Sequence, residues 1–327
     1  MTGILSKNLI TEIGRHMNTR KLGTSGLNVT EIILGTWAIG GTMWSDYDES
    51  NAVKAIEAAI DHGINCIDTA PAYGAGHADE LIGRIIKGRR DKILIASKCG
   101  LDIENGYRHN LKPEFIAYDL EQSLKRLGTD YIDLYQIHWP DPAVQIEDSM
   151  TALMKAKESG KIRYIGICNF SGDQLKEAMK YGEVVSYQPN YSLLEREIES
   201  DRIKICVDNN IGIISYGSLG AGMLTGKYKE HPQFRKNDAR NFFYKFFKKQ
   251  YWPEVKAVVD KVSAIADKRG VKPGHVAIAW NLSKTGITAA IVGARTAEQV
   301  LENLGGSGLI LTEEEILELD RISANTY

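Results

Sequence analysis

The chain has 327 residues, with 40 Lys and Arg against 42 Asp and Glu, giving a net charge of −2. That balance exerts no overall pull towards nucleic acid or an anionic membrane, and no apolar run approaches the roughly 20 residues of a membrane helix. The four cysteines, at 66, 99, 168 and 206, form no CxxC pair and point to reduced thiols in a cytoplasmic enzyme.

Residues 1–18 lack the basic start and long apolar core of a signal peptide and carry no assignable order or role. From Thr19 the pattern becomes regular. TRKLG (Thr19 to Gly23) and LNVTEI (Leu27 to Ile32) flank the turn signal Thr24-Ser25-Gly26 and predict a small β-hairpin. Strand and helix patterns then alternate eight times. Predicted strands are Ile32–Gly35, Asn65–Asp68, Ile93–Ser97, Ile132–Ile137, Tyr164–Ile167, Ser186–Gln188, Gly212–Ser215 and Thr288–Ile291. They are short and largely apolar, as parallel strands covered by helices are.

The intervening helices show the complementary period. Ala52, Val53, Ile56, Ala59 and Ile60 share a face of the first, and Leu120, Leu124 and Leu127 a face of the third. Asp48 or Ser50 is placed to cap the first helix, and Ser171 the fifth. Eight such units with right-handed crossovers close into a (β/α)8 TIM barrel. The even spacing and the lack of a two-half division argue against a doubly wound sheet. Residues 219–252 form a long insertion after the seventh strand, where a barrel loop serves the site. TEEEILELDRI, starting at Thr312, predicts an extra C-terminal helix capped by Thr312. Residues 19–327 therefore read as one domain.

The chemistry gathers near strand ends. IDTAPAYG (Ile67 to Gly74), ILIASKCG (Ile93 to Gly100) and LYQIHWPD (Leu134 to Asp141) supply Asp68, Tyr73, Lys98 and His138. An ammonium stabilises a nearby phenolate, so a tyrosine beside a lysine is expected to lose its proton more easily and to act as an acid or base. A lone ammonium on a buried strand is costly, and Asp68 is placed to pair with it. No His, Cys or carboxylate group has zinc-ligand spacing, so no metal is expected. GAGMLTG (Gly220 to Gly226) fails the GxGxxG pattern, because Thr225 stands where glycine is needed.

These four residues in these contexts resemble the catalytic tetrad of the aldo-keto reductases. The resemblance extends over about 300 residues. GTWAIGGTMW (Gly35 to Trp44) is similar to the family's first loop, GICNFS (Gly166 to Ser171) to its fifth strand and YQPNYSLLER (Tyr187 to Arg196) to its sixth. SYGSLGAGMLTGKY (Ser215 to Tyr228) is similar to the seventh, and GARTAEQVLEN (Gly293 to Asn303) to its cofactor segment. The resemblance implies hydride transfer between a nicotinamide cofactor and a carbonyl or alcohol, with Tyr73 as general acid or base, Lys98 lowering its pKa, Asp68 anchoring Lys98 and His138 orienting the oxygen.

The resemblance also implies cofactor contacts from Gly35, Thr36 and Trp37 in the first loop and from Ser218 and Leu219 after the seventh strand. Asn169 and Gln188 would hold the nicotinamide carboxamide, and Tyr216 would stack on the ring. Cys168 stands where the family commonly has a serine beside that asparagine. Gly293, Arg295, Gln299 and Asn303 match the branch with a GxRxxxQxxxN segment, leaving Arg295 as the basic residue for a 2′-phosphate. NADP(H) is the expected cofactor, with NAD(H) as the alternative. Trp37, Trp44 and Trp139 are candidate walls of the pocket for a small carbonyl or alcohol substrate. Two other readings remain open: a cofactor-sensing subunit resembling potassium-channel β subunits, and a sugar-processing member that retains NAD(H). The sequence does not set the oligomeric state.

Overall fold

The computed structural model describes residues 17–44 and 47–324. The extension expected over residues 1–18 lies outside them except for Met17 and Asn18. A hairpin, β1 (Thr19–Lys21) and β2 (Asn28–Thr30), comes first. Then follow β3 (Ile32–Gly35), α1 (Glu49–Asp61), β4 (Cys66–Asp68), α2 (His77–Ile86), β5 (Leu94–Cys99) and a second small hairpin, β6 (Leu101–Asp102) with β7 (Arg108–His109). The middle of the chain supplies α3 (Pro113–Leu127), β8 (Ile132–Ile137), α4 (Ile146–Glu158), β9 (Ile162–Cys168), α5 (Gly172–Ala178) and β10 (Ser186–Gln188). After α6 (Arg202–Asp208) and β11 (Gly212–Ser215) comes the insertion. The chain ends with α7 (Trp252–Arg269), α8 (Pro273–Ser283), β12 (Ile287–Gly293), α9 (Ala297–Leu304) and α10 (Glu313–Ser323).

Eight parallel strands close into a barrel in the order β10-β11-β12-β3-β4-β5-β8-β9. The (β/α)8 TIM barrel expected from the alternating pattern is the fold present. Asp48 caps α1 by accepting from Asn51 N at 2.7 Å. Ser171 and Gln174 form a reciprocal capping box on α5, and Thr312 and Glu315 one on α10. On α1 the buried face is Ala52, Ala55, Ile56 and Ala59, while Val53 and Ile60 lie at its margin. The insertion contains short 3-10 turns, and its own Tyr244, Phe246 and Phe247 are buried.

Strand periodicity positions the site. Successive strand residues point alternately inward and outward. Ile67, Ile95, Tyr135 and Ile165 belong to the apolar layer shared with the helices. Cys66, Ala96 and Leu134 belong to a separate apolar cluster with Leu22, Leu27 and Val29 of the hairpin region, which closes the barrel floor. One inward step further along these strands stand Asp68, Lys98 and Gln136. The register pairs Asp68 with Ala96 and Lys98 with Gln136. The next inward position on β9 is Gly166, where an added Cβ would lie 2.3 Å from Ser186 Oγ. A polar layer therefore rests directly on a dry floor.

Candidate active site

Asp68 is the last residue of β4, and Lys98 lies within β5 rather than past its end, because that strand runs on to Cys99. Both are almost fully buried. Lys98 Nζ donates to both Asp68 carboxylate oxygens at 2.7 and 2.8 Å, to Thr69 O at 3.0 Å and to the Tyr73 hydroxyl at 3.1 Å. An ammonium has only donors, so in the last contact the phenol oxygen accepts. Its own O–H remains able to donate outward. Asp68 also accepts from Gln188 Nε2 at 2.7 Å, a bond that crosses the barrel.

His138 follows β8 directly. Its backbone N donates to Cys99 O at 3.0 Å, and its ring meets Tyr73 edge to face at 6.0 Å. The four expected residues thus converge on one point. Thr69 O, held at Lys98, was not anticipated. Nor was Asp79, which accepts from Thr69 Oγ1 at 2.8 Å and so braces the loop from α2.

The electrostatics differ from expectation in one respect. Burial pushes the Tyr73 phenol well up; Lys98 pulls it down, and Asp68 raises it again. The net direction is upward, because desolvating a phenolate outweighs the gain from an ammonium that already has a carboxylate partner. Tyr73 therefore keeps its proton. Burial opposes the charge on Lys98, but Asp68 more than restores it, and Lys98 stays an ammonium. Burial pushes His138 far below its usual value, with Lys98 and His109 adding to the effect, so its imidazole is neutral.

The residues expected around a cofactor line the same end of the barrel, many engaged in bonds of their own. Thr36 is buried and donates through N and Oγ1 to Asp68 O at 3.1 and 2.9 Å. Asn169, in left-handed backbone at φ 60°, donates from Nδ2 to His138 O and accepts from the Tyr216 hydroxyl, each at 2.9 Å. Cys168 is buried, and burial pushes its thiol up. Ser218 is buried, and Leu219 packs against the core at the entry to the turn Gly220–Thr225. Gln299 Oε1 accepts from Arg295 N at 2.8 Å, and Asn303 Nδ2 donates to Gly293 O at 3.4 Å, so both hold the loop after β12. Gly35 and Gly293 are partners in the register of β3 and β12, and a Cβ on Gly293 would meet nothing nearer than Gly35 O at 3.9 Å. That strand end lies open to a ligand.

Two cations of the insertion join this edge. Burial lowers the pKa of Lys227, and the charges of Arg240 and Arg295 lower it further. Sequence reasoning had left Arg295 as the remaining basic candidate at this end. The structure adds Lys227, which feels the charge of Arg295, whereas Arg240 is paired with Asp238, Nε to Oδ1 at 2.7 Å. The insertion has no periodicity from which that convergence could be read.

Of the three tryptophans, Trp37 stacks beside Tyr73 at 6.4 Å with 26° between the planes, and Trp44 meets Trp37 edge-on at 5.3 Å. Trp139 stacks on His138 at 6.4 Å, and His109 of β7 stacks on Trp139 at 6.5 Å. The β6–β7 hairpin was missed by the strand reading, although Asn105-Gly106 is a strong hairpin dipeptide. Among the described residues no group of His, Cys, Asp and Glu could hold a metal ion, and no helix is long and apolar enough to cross a membrane.

The comparisons with known proteins agree with this fold. The Aldo/keto reductase family matches residues 31–324. Aldo-keto reductase YhdN of Bacillus subtilis (strain 168) is 40% identical over 315 residues, covering 95% of both chains. The NADH-specific methylglyoxal reductase of Escherichia coli (strain K12) is 32% identical over 90% of this chain and 94% of its own. The structure of glycerol dehydrogenase AKR11B4 from Gluconobacter oxydans superposes with a TM-score of 0.86 at 37% identity, covering 94% of this chain and 95% of that one. A barrel with these strand ends and these relatives is an oxidoreductase, and the chain belongs to the Aldo/keto reductase family.

Proposed function

We propose that the protein is an NADPH-dependent carbonyl reductase in which Tyr73 gives the proton that completes reduction to the alcohol. The observation that carries this reading is the Lys98 to Tyr73 hydrogen bond at 3.1 Å, made by an ammonium already fixed on Asp68. The hydride for the carbonyl carbon would come from a nicotinamide held by Asn169, Gln188 and Tyr216. Tyr73 holds its proton until negative charge develops on the substrate oxygen. Lys98 then stabilises the phenolate left behind, and Asp68 keeps Lys98 in place. His138, neutral, donates one ring N–H to the same oxygen and orients it. The same groups serve alcohol oxidation in reverse.

The residues present fit a phosphorylated dinucleotide. Asn169 and Gln188 suit a carboxamide, with Gln188 offering its carbonyl oxygen because its nitrogen is committed to Asp68. Tyr216 provides a ring face for the nicotinamide. The first loop (Gly35, Thr36, Trp37) and the turn after β11 (Ser218, Leu219) border the groove, and Gln299 and Asn303 set the segment carrying Arg295. Lys227 and Arg295 suit phosphate groups, Arg240 being paired with Asp238, and this favours NADP(H) over NAD(H).

The decisive test is Tyr73→Phe. It deletes one hydroxyl and leaves every proposed cofactor contact in place. Aldehyde reduction should fall by ~100- to 10,000-fold, with the NADPH dissociation constant nearly unchanged. A rate within a few-fold of the parent would remove Tyr73 from the chemistry.

A further inference from the structure

The insertion brings an aromatic side chain to the mouth of the site. Phe243 is 50% exposed, and its ring meets Trp37 edge-on at 5.2 Å and 88°. Its neighbour Phe242 is 56% exposed, with the two rings 5.1 Å apart. The segment is held in place. Ala239 N donates to Met43 O and Phe243 N to Ala239 O, each at 2.9 Å. Asp238 caps the turn by accepting from Arg240 N, and the Arg240 guanidinium lies 5.3 Å from the centre of the Trp44 ring and 4.0 Å from that of Phe234. Beneath it Phe246 and Phe247 are buried. Phe243 is therefore an apolar ring fixed at the surface beside the stacked Trp37–Tyr73 pair.

It also belongs to a continuous series of rings. His109, Trp139, His138, Tyr73, Trp37 and Phe243 each neighbour the next at centroid distances between 5.2 and 6.5 Å. The groups proposed to bond the substrate oxygen, Tyr73 and His138, occupy the middle of this arc, and its Trp37 and Phe243 side offers ring faces and edges. A carbonyl anchored at the middle can lay the rest of its molecule against those rings. A flat apolar group gains contact there, through offset or edge-to-face packing. A chain of hydroxyls loses water there and meets the indole N–H of Trp37 as its only polar group on those two rings, and each unpaired hydroxyl counts against binding.

We infer that Phe243 is a specificity-determining residue that makes the site select aryl or conjugated carbonyl substrates over small polyhydroxylated ones. The inference rests on the carbonyl-reductase reading and adds the substrate class and the residue that sets it. The test compares kcat/KM for benzaldehyde and for glyceraldehyde with NADPH, in the parent, Phe243→Ala and Phe243→Tyr. The parent should prefer benzaldehyde. Phe243→Ala should lower the benzaldehyde-to-glyceraldehyde ratio roughly tenfold, mainly through KM for benzaldehyde. NADPH affinity should hold, and Phe243→Tyr, which keeps the ring edge, should restore the ratio. A parent that prefers glyceraldehyde, or a ratio unmoved by Phe243→Ala, overturns the inference while leaving carbonyl reduction standing. A parent that binds NADPH and reduces neither aldehyde removes the reading beneath it.

Discussion

Lys98 has three protons to give and three places for them: Asp68, Thr69 O and the Tyr73 hydroxyl. Replacing it by Met leaves the buried Asp68 carboxylate with Gln188 as its side-chain donor among the described residues and removes the charge that favours Tyr73 phenolate. Breaking a buried pair costs ~3–5 kcal/mol, so Lys98→Met should melt markedly earlier than the parent. Its residual reduction should also change its dependence on pH, since Tyr73 then ionises later. A pH profile parallel to the parent's would show that the two side chains are not coupled. A second residue gives a pH effect on stability. Asp119, on α3, accepts from Gly100 N at 3.1 Å just past the strand that carries Lys98, and burial pushes its carboxyl up to about 7. A folded-state pKa above the unfolded one gives stability that is full below the unfolded value, near 4, and is lost as pH rises through about 7. Asp119→Asn keeps an acceptor for Gly100 and cannot ionise. Between about pH 5 and about pH 8 its stability relative to the parent should improve, by up to roughly 2–4 kcal/mol. Thermal melts across that range check it, and a difference independent of pH contradicts it. At this scale Asp68, Tyr73, Lys98 and His138 were legible because each stands at or near a strand end beside a loop. Gln188's bond to Asp68 was not legible, since it joins residues 120 apart across the barrel.

Two loops meet backbone to backbone beside Tyr73. A Cβ on Gly74, where φ is 66°, would lie 1.9 Å from Gly40 O, and one on Gly40 would lie 2.5 Å from the Tyr73 carbonyl carbon. The loops after β3 and β4 can touch only because both positions are glycine. Gly88, at φ 79°, has nothing within 4 Å of its would-be Cβ and serves as a control. Gly88→Ala carries backbone strain alone, about 1–3 kcal/mol. Gly74→Ala adds a collision with a carbonyl and should lose more stability and most of its kcat, because Tyr73 is displaced. Equal melting temperatures and retained turnover would show that the loops yield freely. Element by element, the eight strands were readable from apolar runs between Gly- and Asn-containing turns. Their ends were off by one or two residues where an apolar or small residue continued the strand, as at Cys99 and Gly293. The insertion could be bounded but not folded from sequence, because it follows neither a period of two nor of 3.6. Phe243 and Arg240 went unassigned for that reason.

For the molecule as a whole, a net charge of −2 conceals a local electrostatic coupling of Lys227 with Arg295 and with Arg240, the last already paired with Asp238. A ligand that binds the folded state alone stabilises it, by about 2.7 kcal/mol at a hundredfold excess over its dissociation constant. NADPH should therefore raise the melting temperature of the parent more than NADH does. Arg295→Ala should shrink the NADPH increment selectively, weakening its binding by roughly one to two decades at low salt while changing NADH little. Equal losses for both cofactors would assign Arg295 to holding the loop. No NADPH preference in the parent would favour NAD(H), the cofactor named for the Escherichia coli relative.

The floor of the barrel sets the order in which the chain can be completed. Arg20, on the first strand, donates to Leu282 O and Ile287 O, 262 and 267 residues later. Gly23 fits in left-handed backbone against Val185 O and Asn210 O, and Gly26 N reaches the Tyr164 hydroxyl. The hairpin leaves the ribosome well before these partners, which follow it by 138 to 267 residues. Contacts that distant close slowly, since the intervening loop must be ordered before they return any stabilisation. During synthesis the apolar side chains of Leu22, Leu27 and Val29 wait unsealed, and the Lys98–Asp68 layer above them has no dry base until the eighth strand arrives.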